Sequence, residues 1–187
     1  MLRRSFPLLF LFLLLLPNPA EATTVRLVDL PAMARQSAFI FHGTVAAVES
    51  RNLGNPDHPR IVTDVTFSVH RVLKGTTKGA QFTLRLVGGT HQGTTLHIPG
   101  SPRFAVADEV VLFLEWTGEN YAINGMRQGL YRVSRTADGE KTVQRSLEDL
   151  CIVGTDQTIS HRSGPEPARS LVDLFDAVRA ATEEVSR

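Results

Sequence analysis

Ile61-Val-Thr-Asp-Val-Thr-Phe-Ser-Val-His70-Arg-Val-Leu-Lys-Gly75 decides the fold class. Ile61, Thr63, Val65, Phe67 and Val69 point one way, and Asp64, Thr66, Ser68 and His70 the other, the period-two pattern of a half-buried strand. The alternation then slips. Arg71 would fall on the apolar face, while Val72 and Leu73 are both apolar, so the reading predicts a bulge near His70 and Arg71 that restores the phase. Long strands bent by bulges turn the corners of small barrels. The defect therefore predicts closure rather than an open flat sheet, and Lys74-Gly75 ends the strand.

Upstream, Ala38 to Val48 is a β-type run interrupted by Gly43, which marks a bulge or a close backbone approach. Arg51 to Arg60 is rich in turn formers and reads as an exposed hairpin loop. A short helix precedes these strands. Asp29 suits its N-cap, Pro31 its first turn, and Leu30, Met33 and Ala34 share one face before Ser37.

Downstream, Phe82/Leu84/Leu86 and Leu96/Ile98 read as the inward faces of two strands, with Thr83, Arg85, Thr95 and His97 outward and the turn Gly88-Gly-Thr-His-Gln-Gly93 between them. Glu109 to Trp116 is apolar on both faces, as a central strand covered on each side would be. Tyr121 to Ile123 and Leu130 to Val133 add two short strands around Asn124-Gly125. About six or seven strands are expected. After Ser163-Gly-Pro-Glu-Pro167 a final helix is predicted over 168–187, about Ala168 to Val185, with Leu171, Val172, Leu174, Phe175, Val178 and Ala181 as the stripe that docks on the barrel.

The N-terminus reads as a secretory signal peptide over 1–22. Arg3 and Arg4 precede the apolar run Phe6 to Leu16, and Ala20-Glu21-Ala22 is a small-residue cleavage site. The run is too short to span about 30 Å of hydrocarbon, and Pro17 and Pro19 break it. No stable membrane insertion is expected after cleavage. Removing Arg3, Arg4 and Glu21 turns the formal charge of +1 into neutrality, which argues against nucleic acid as a partner. A single cysteine, Cys151, leaves no intramolecular disulfide; within Leu150-Cys-Ile-Val153 it reads as a buried thiol. Four segments are thus expected: the signal, a β-barrel domain over 23–154, a linker over 155–167, and the helix packed on the barrel.

In order, Ser37-Ala-Phe-Ile-Phe-His-Gly-Thr-Val, Thr63-Asp-Val-Thr-Phe-Ser-Val-His-Arg-Val-Leu-Lys-Gly75, Val87-Gly-Gly89, Val110-Val-Leu-Phe-Leu114 and Gln128-Gly-Leu-Tyr-Arg-Val133 resemble a family of exported bacterial proteins of uncharacterised function. That family is similar to the OB-fold barrel of tissue inhibitors of metalloproteinases and netrin modules. The resemblance, over about Leu30 to Val133, implies a mainly β fold, a small closed or partly open OB-like β-barrel with a short N-terminal helix and a C-terminal helix. Those inhibitors chelate a protease's zinc through a disulfide-anchored N-terminal cysteine. This chain would begin at Thr23 and has only Cys151, so the wedge itself is absent.

Catalytic motifs are sparse. His42, His58, His70, His91, His97 and His161 show no recognised zinc spacing, and His91 and His97, flanking one turn, are the pair best placed to converge. Asp108-Glu109 reads as a solvated strand end. There is no G-x-S-x-G and no phosphate loop. No catalytic residue, cofactor or metal is assigned. The expected function is a non-catalytic, exported binding module whose partner is another exported protein, a protease by family analogy, contacted through Arg51 to Arg60 and Gly88 to Pro102. A barrel binding a small ligand, glycan or metal is the alternative, and a hydrolase ranks last. The candidate binding residues are Arg85, His91, Gln92, Thr95, His97 and Arg103.

Overall fold

The computed structural model describes residues 23–55, 57–147, 150–153, 159–161 and 165–183. The signal segment and its cleavage site, the surroundings of the Cys151 thiol, most of the 155–167 linker and the end of the last helix at Val185 lie outside the described residues. A short strand β1 (Thr23–Arg26) leads into helix α1 (Leu30–Gln36), two long strands β2 (Phe39–Asn52) and β3 (Ile61–Lys74), and β4 (Gln81–Val87). A small hairpin of β5 (Gly89–His91) and β6 (Thr94–Leu96) precedes β7 (Glu109–Trp116), β8 (Tyr121–Ile123), a 3-10 turn at Met126–Gly129 and β9 (Leu130–Arg135). Then come β10 (Lys141–Gln144), β11 (Leu150–Val153), β12 (Ile159–His161), β13 (Arg169–Ser170) and helix α2 (Leu171–Glu183).

The fold is mainly β. Its main sheet runs β13-β10-β9-β7-β2-β3-β4, with β8 added to the end of β7; β1, β11 and β12 form a second sheet, and β5-β6 pair only with each other. No ladder joins β4 to β13, so the sheet is open and not the closed one that the slipped alternation predicts. It is nevertheless strongly rolled. Four strand-to-strand steps separate β8 from β4, about 19 Å in a flat sheet, yet the rings of Tyr121 and Phe82 lie 5.6 Å apart. Strand number also exceeds expectation. The extra strands are two to four residues long, too short to carry a period in the sequence.

One of the bulges that permit this roll lies where the slipped pattern predicts. His42 pairs with Arg71 and Gly43 with Val69, so His70 is the extra residue; two further shifts lie between Ile40/Phe41 and Val45/Ala47. Gly43 is required by close approach, because a Cβ there would lie 2.6 Å from the Ser68 carbonyl oxygen. Across the bulges the phase changes. Val69 packs with the inner apolar cluster, whereas Leu73 packs on the opposite, helix-covered face.

Each face carries its own core. On the inner face Phe39, Phe41, Val65, Phe67, Leu84 and Leu112 pack together. On the other, Ile40, Val111, Phe113, Tyr131 and Val143 meet α1 and α2. Strand β7 supplies both, and Val110 through Leu114 are all fully buried, as its two-sided apolarity predicts. Helix α1 is capped as expected, Asp29 Oδ1 accepting from Ala32 N–H at 2.7 Å. Lys74 Nζ donates to the carbonyls of Ala34 and Arg35 at its far end, favourable for a helix C-terminus. Helix α2 docks through Leu171, Leu174, Phe175, Val178 and Ala181, while Val172, expected in that stripe, is 64% exposed. The helix starts at Leu171 because Arg169 and Ser170 pair with β10.

Candidate functional site

A cleft of about 490 Å³ opens where the hairpin β5-β6 and residues 97–104 lean over one end of the rolled sheet. Its floor is apolar, made by Val48, Val65, Leu86 and Phe104. Polar groups converge above it. Thr63 Oγ1 donates to the Gly88 carbonyl at 2.7 Å, which leaves Ser50 as donor in the 2.8 Å hydroxyl pair between them. Gly89, at φ +129°, crosses directly over these hydroxyls, and a Cβ there would lie 2.1 Å from Thr63 Oγ1. Glycine thus lets the backbone turn off the sheet into the hairpin.

Of the six sequence-predicted residues, Thr95, His97 and Arg103 line this cleft. Thr95 and His97 do not project outward from a strand of the main sheet as expected, because β6 pairs only with β5. Arg103 Nη2 donates to His97 Nδ1 at 3.5 Å, which places the proton of a neutral His97 on Nε2. His91 sits beside the cleft with Nδ1 donating to the Ser50 carbonyl at 3.0 Å, and thereby pins the hairpin to β2. Gln92 is at the exposed hairpin tip, in the left-handed region at φ +47°. Arg85 stands apart. It binds Asp64 at 2.7 and 3.1 Å, with Arg51 on the same carboxylate, on the sheet face opposite Thr63 and Val65. These guanidinium hydrogen bonds, Arg85's first, hold the Asp64 carboxyl below its usual range. Of the two loops expected to act together, only the Gly88 to Pro102 segment lines the cleft.

A second cleft, of about 380 Å³, adjoins the first through Pro102 and Arg103, which line both. Leu130, Arg132, Ser134 and Gln144 form much of its wall. Arg132 is held by Asp108 at 2.6 Å, by the Arg103 carbonyl and by the Phe104 ring, 6.0 Å from its guanidinium carbon.

A separate polar cluster lies under α2. His42 Nε2 and Glu109 Oε1 are 2.6 Å apart, and Lys141 Nζ reaches the same oxygen at 2.5 Å. The His42 ring lies 5.3 Å from His70 and 5.6 Å from Phe175, and His70 Nε2 bonds Thr44 Oγ1 at 2.8 Å. Burial is the chief cause that pushes the His42 pKa down, against the pull of Glu109. For Glu109, burial pushes up, and the hydrogen bonds from Lys141 and His42 outweigh it to leave the carboxyl below its usual range. Glu109 is therefore more than a solvated strand end; it is a half-buried carboxylate held between two basic side chains. The histidines that converge are His42 and His70, brought together by the bulge, while His91 and His97 take separate partners. Among the described residues no group of three or more His, Cys, Asp or Glu could hold a metal ion, and no helix is long and apolar enough to cross a membrane.

The ensemble is a rolled, mainly β sheet carrying a hairpin-roofed cleft. No family model, curated protein or solved structure matches the chain.

Proposed function

We propose that the protein is an exported, non-catalytic binding module whose target occupies the cleft beneath the β5-β6 hairpin. The observation that carries this reading is the convergence of Ser50, Thr95, His97 and Arg103 above an apolar floor in a concavity of about 490 Å³. A pocket of that size with an apolar lining and a few directed polar groups is the usual form of a ligand site. Export rests on the signal-like residues 1–22. The roll of the sheet supports an OB-like plan, in which one face and its flanking loops carry ligand, although the site and not the fold carries the functional argument.

The test is an amide chemical-shift titration of the full chain lacking residues 1–22 with acetate, succinate, glucose and N-acetyl-leucine at millimolar concentration. The expected result is a saturable shift centred on Gly88, Gly89, Thr95 and Phe104 for at least one probe, removed by Thr95→Trp, which puts a bulky ring at the rim. Shifts confined to other surfaces, or unchanged by that substitution, would overturn the reading.

A further inference from the structure

The two clefts lie side by side, with Pro102 and Arg103 in both linings, and together offer a groove-like surface. Among the described residues no aspartate or glutamate lines either of them, whereas Arg103, Arg127 and Arg132 do. A chain with 20 basic and 19 acidic residues thus presents a locally cationic groove, assembled from positions far apart in sequence. Asp108, the acid paired with Arg132, is outside both linings. Polarity also changes along the groove. Its first part is floored by Val48, Val65 and Phe104; its second offers Ser134 and Gln144, with Arg103 at the junction.

From this succession we infer that the groove binds an extended acidic peptide segment, with an apolar side chain in the first cleft, the following carboxylate on the Arg103 guanidinium, and the next residues along Ser134 and Gln144. The inference rests on the first cleft being the binding site and names the class of its ligand. Arg103 is suited to the junction role because its exposed planar fork presents several donors to one carboxylate, and its backbone is fixed by the bond from Arg132 to its carbonyl. A peptide fits better than a glycan here. Among the described residues Phe104 is the one aromatic side chain in either lining, and it stands beneath Arg132 at 6.0 Å rather than as an open stacking surface.

The experiment measures binding of blocked Gly-Leu-Asp-Ser-Gly pentapeptide by calorimetry and by the same amide shifts, against peptides with Asn for Asp and Gly for Leu. Each replacement should weaken binding about tenfold, the expected loss for a charge-assisted hydrogen bond or a buried apolar side chain. Arg103→Gln should weaken the Asp peptide about tenfold and leave the Asn peptide unchanged, a coupling that general loosening of the fold would not produce. Raised salt should reduce the difference between the Asp and Asn peptides. Equal binding of the two peptides, or a single-stranded oligonucleotide of matched charge binding as tightly, would overturn the inference. If acetate or N-acetyl-leucine still titrates the first cleft in that case, the site reading stands and only the peptide assignment falls; if no probe and no peptide binds, both fall.

Discussion

Removing Glu166 should destabilise this protein more than removing the arginine it neutralises. Arg145 has only 5% of its side chain exposed, and Glu166 has 20%. The guanidinium donates to both carboxylate oxygens, at 2.6 and 2.8 Å, and to the Val28 carbonyl at 3.1 Å, and lies 5.7 Å from the Tyr131 ring centre. Glu166→Ala leaves a buried cation with one of those three bonds, a situation that costs about 3–5 kcal/mol. Arg145→Met instead removes the charge, keeps an apolar chain over Tyr131, and leaves a carboxylate that water already reaches; the lost bonds cost about 1–3 kcal/mol. The double variant should be more stable than Glu166→Ala alone, because it no longer buries an uncompensated charge. Urea unfolding followed by far-ultraviolet circular dichroism, with slopes compared across the set, measures the differences. An Arg145→Met cost equal to or above that of Glu166→Ala, or additive losses in the double variant, would refute the reasoning.

Acid should weaken the fold in two windows. His42 has a folded-state pKa below its ordinary 6.5, so the unfolded chain takes up its proton first, and stability falls as pH drops below about 6.5 until the lower folded value is passed. Glu109, held below its ordinary 4.5, adds a second loss as pH falls below about 4.5 and through its folded value. His42→Gln should flatten the stability profile between pH 7 and 5, as read by denaturant titration at stepped pH. Gly89→Ala should cost more than about 1 kcal/mol and displace the hairpin, since its left-handed φ and the 2.1 Å approach to Thr63 Oγ1 both exclude a methyl group; thermal unfolding and the Thr95 amide shift report the two effects. Phe175→Ala should lose about 3 kcal/mol from the interface between α2 and the sheet, whereas Val172→Ala, 64% exposed, should stay within about 0.5 kcal/mol. Denaturation midpoints of the two variants check this contrast.

Local chemistry made much of the fold legible. Asp29, Pro31 and the 3.6-period stripe place α1 and most of α2, and the period-two run with its slip locates both β3 and its bulge at His70. What was hidden depends on partners distant in sequence. Gln128 is fully buried because its side chain takes Val28 N–H and gives to the Arg26 carbonyl, both at 2.9 Å and about a hundred residues away; nothing in Met126 to Gly129 announces that. His42 and Glu109 are ordinary strand residues until register sets β2 beside β7. The site divides in the same way. Thr95, His97 and Arg103 were readable as polar residues around a turn, but their convergence required β5-β6 to fold off the main sheet, a move signalled in sequence only by Gly88 and Gly89. Arg85 is outward, as strand alternation predicts, but on the face it shares with Asp64 and away from the cleft.

The seam between β4 and β8 has a mechanical consequence. A hydrogen-bonded ladder is discrete, and sliding it by one residue inverts every side chain. Here the rolled sheet meets itself through the rings of Phe82, Tyr121 and Phe39, whose centres are 5.1 to 5.8 Å apart, and such contacts tolerate small displacements without a change of register. Strand β4 leads directly through Gly88 and Gly89 into the hairpin roof. The aromatic seam and the hairpin roof thus sit at the two ends of one short strand, Phe82 at its start and Gly88 just past its end.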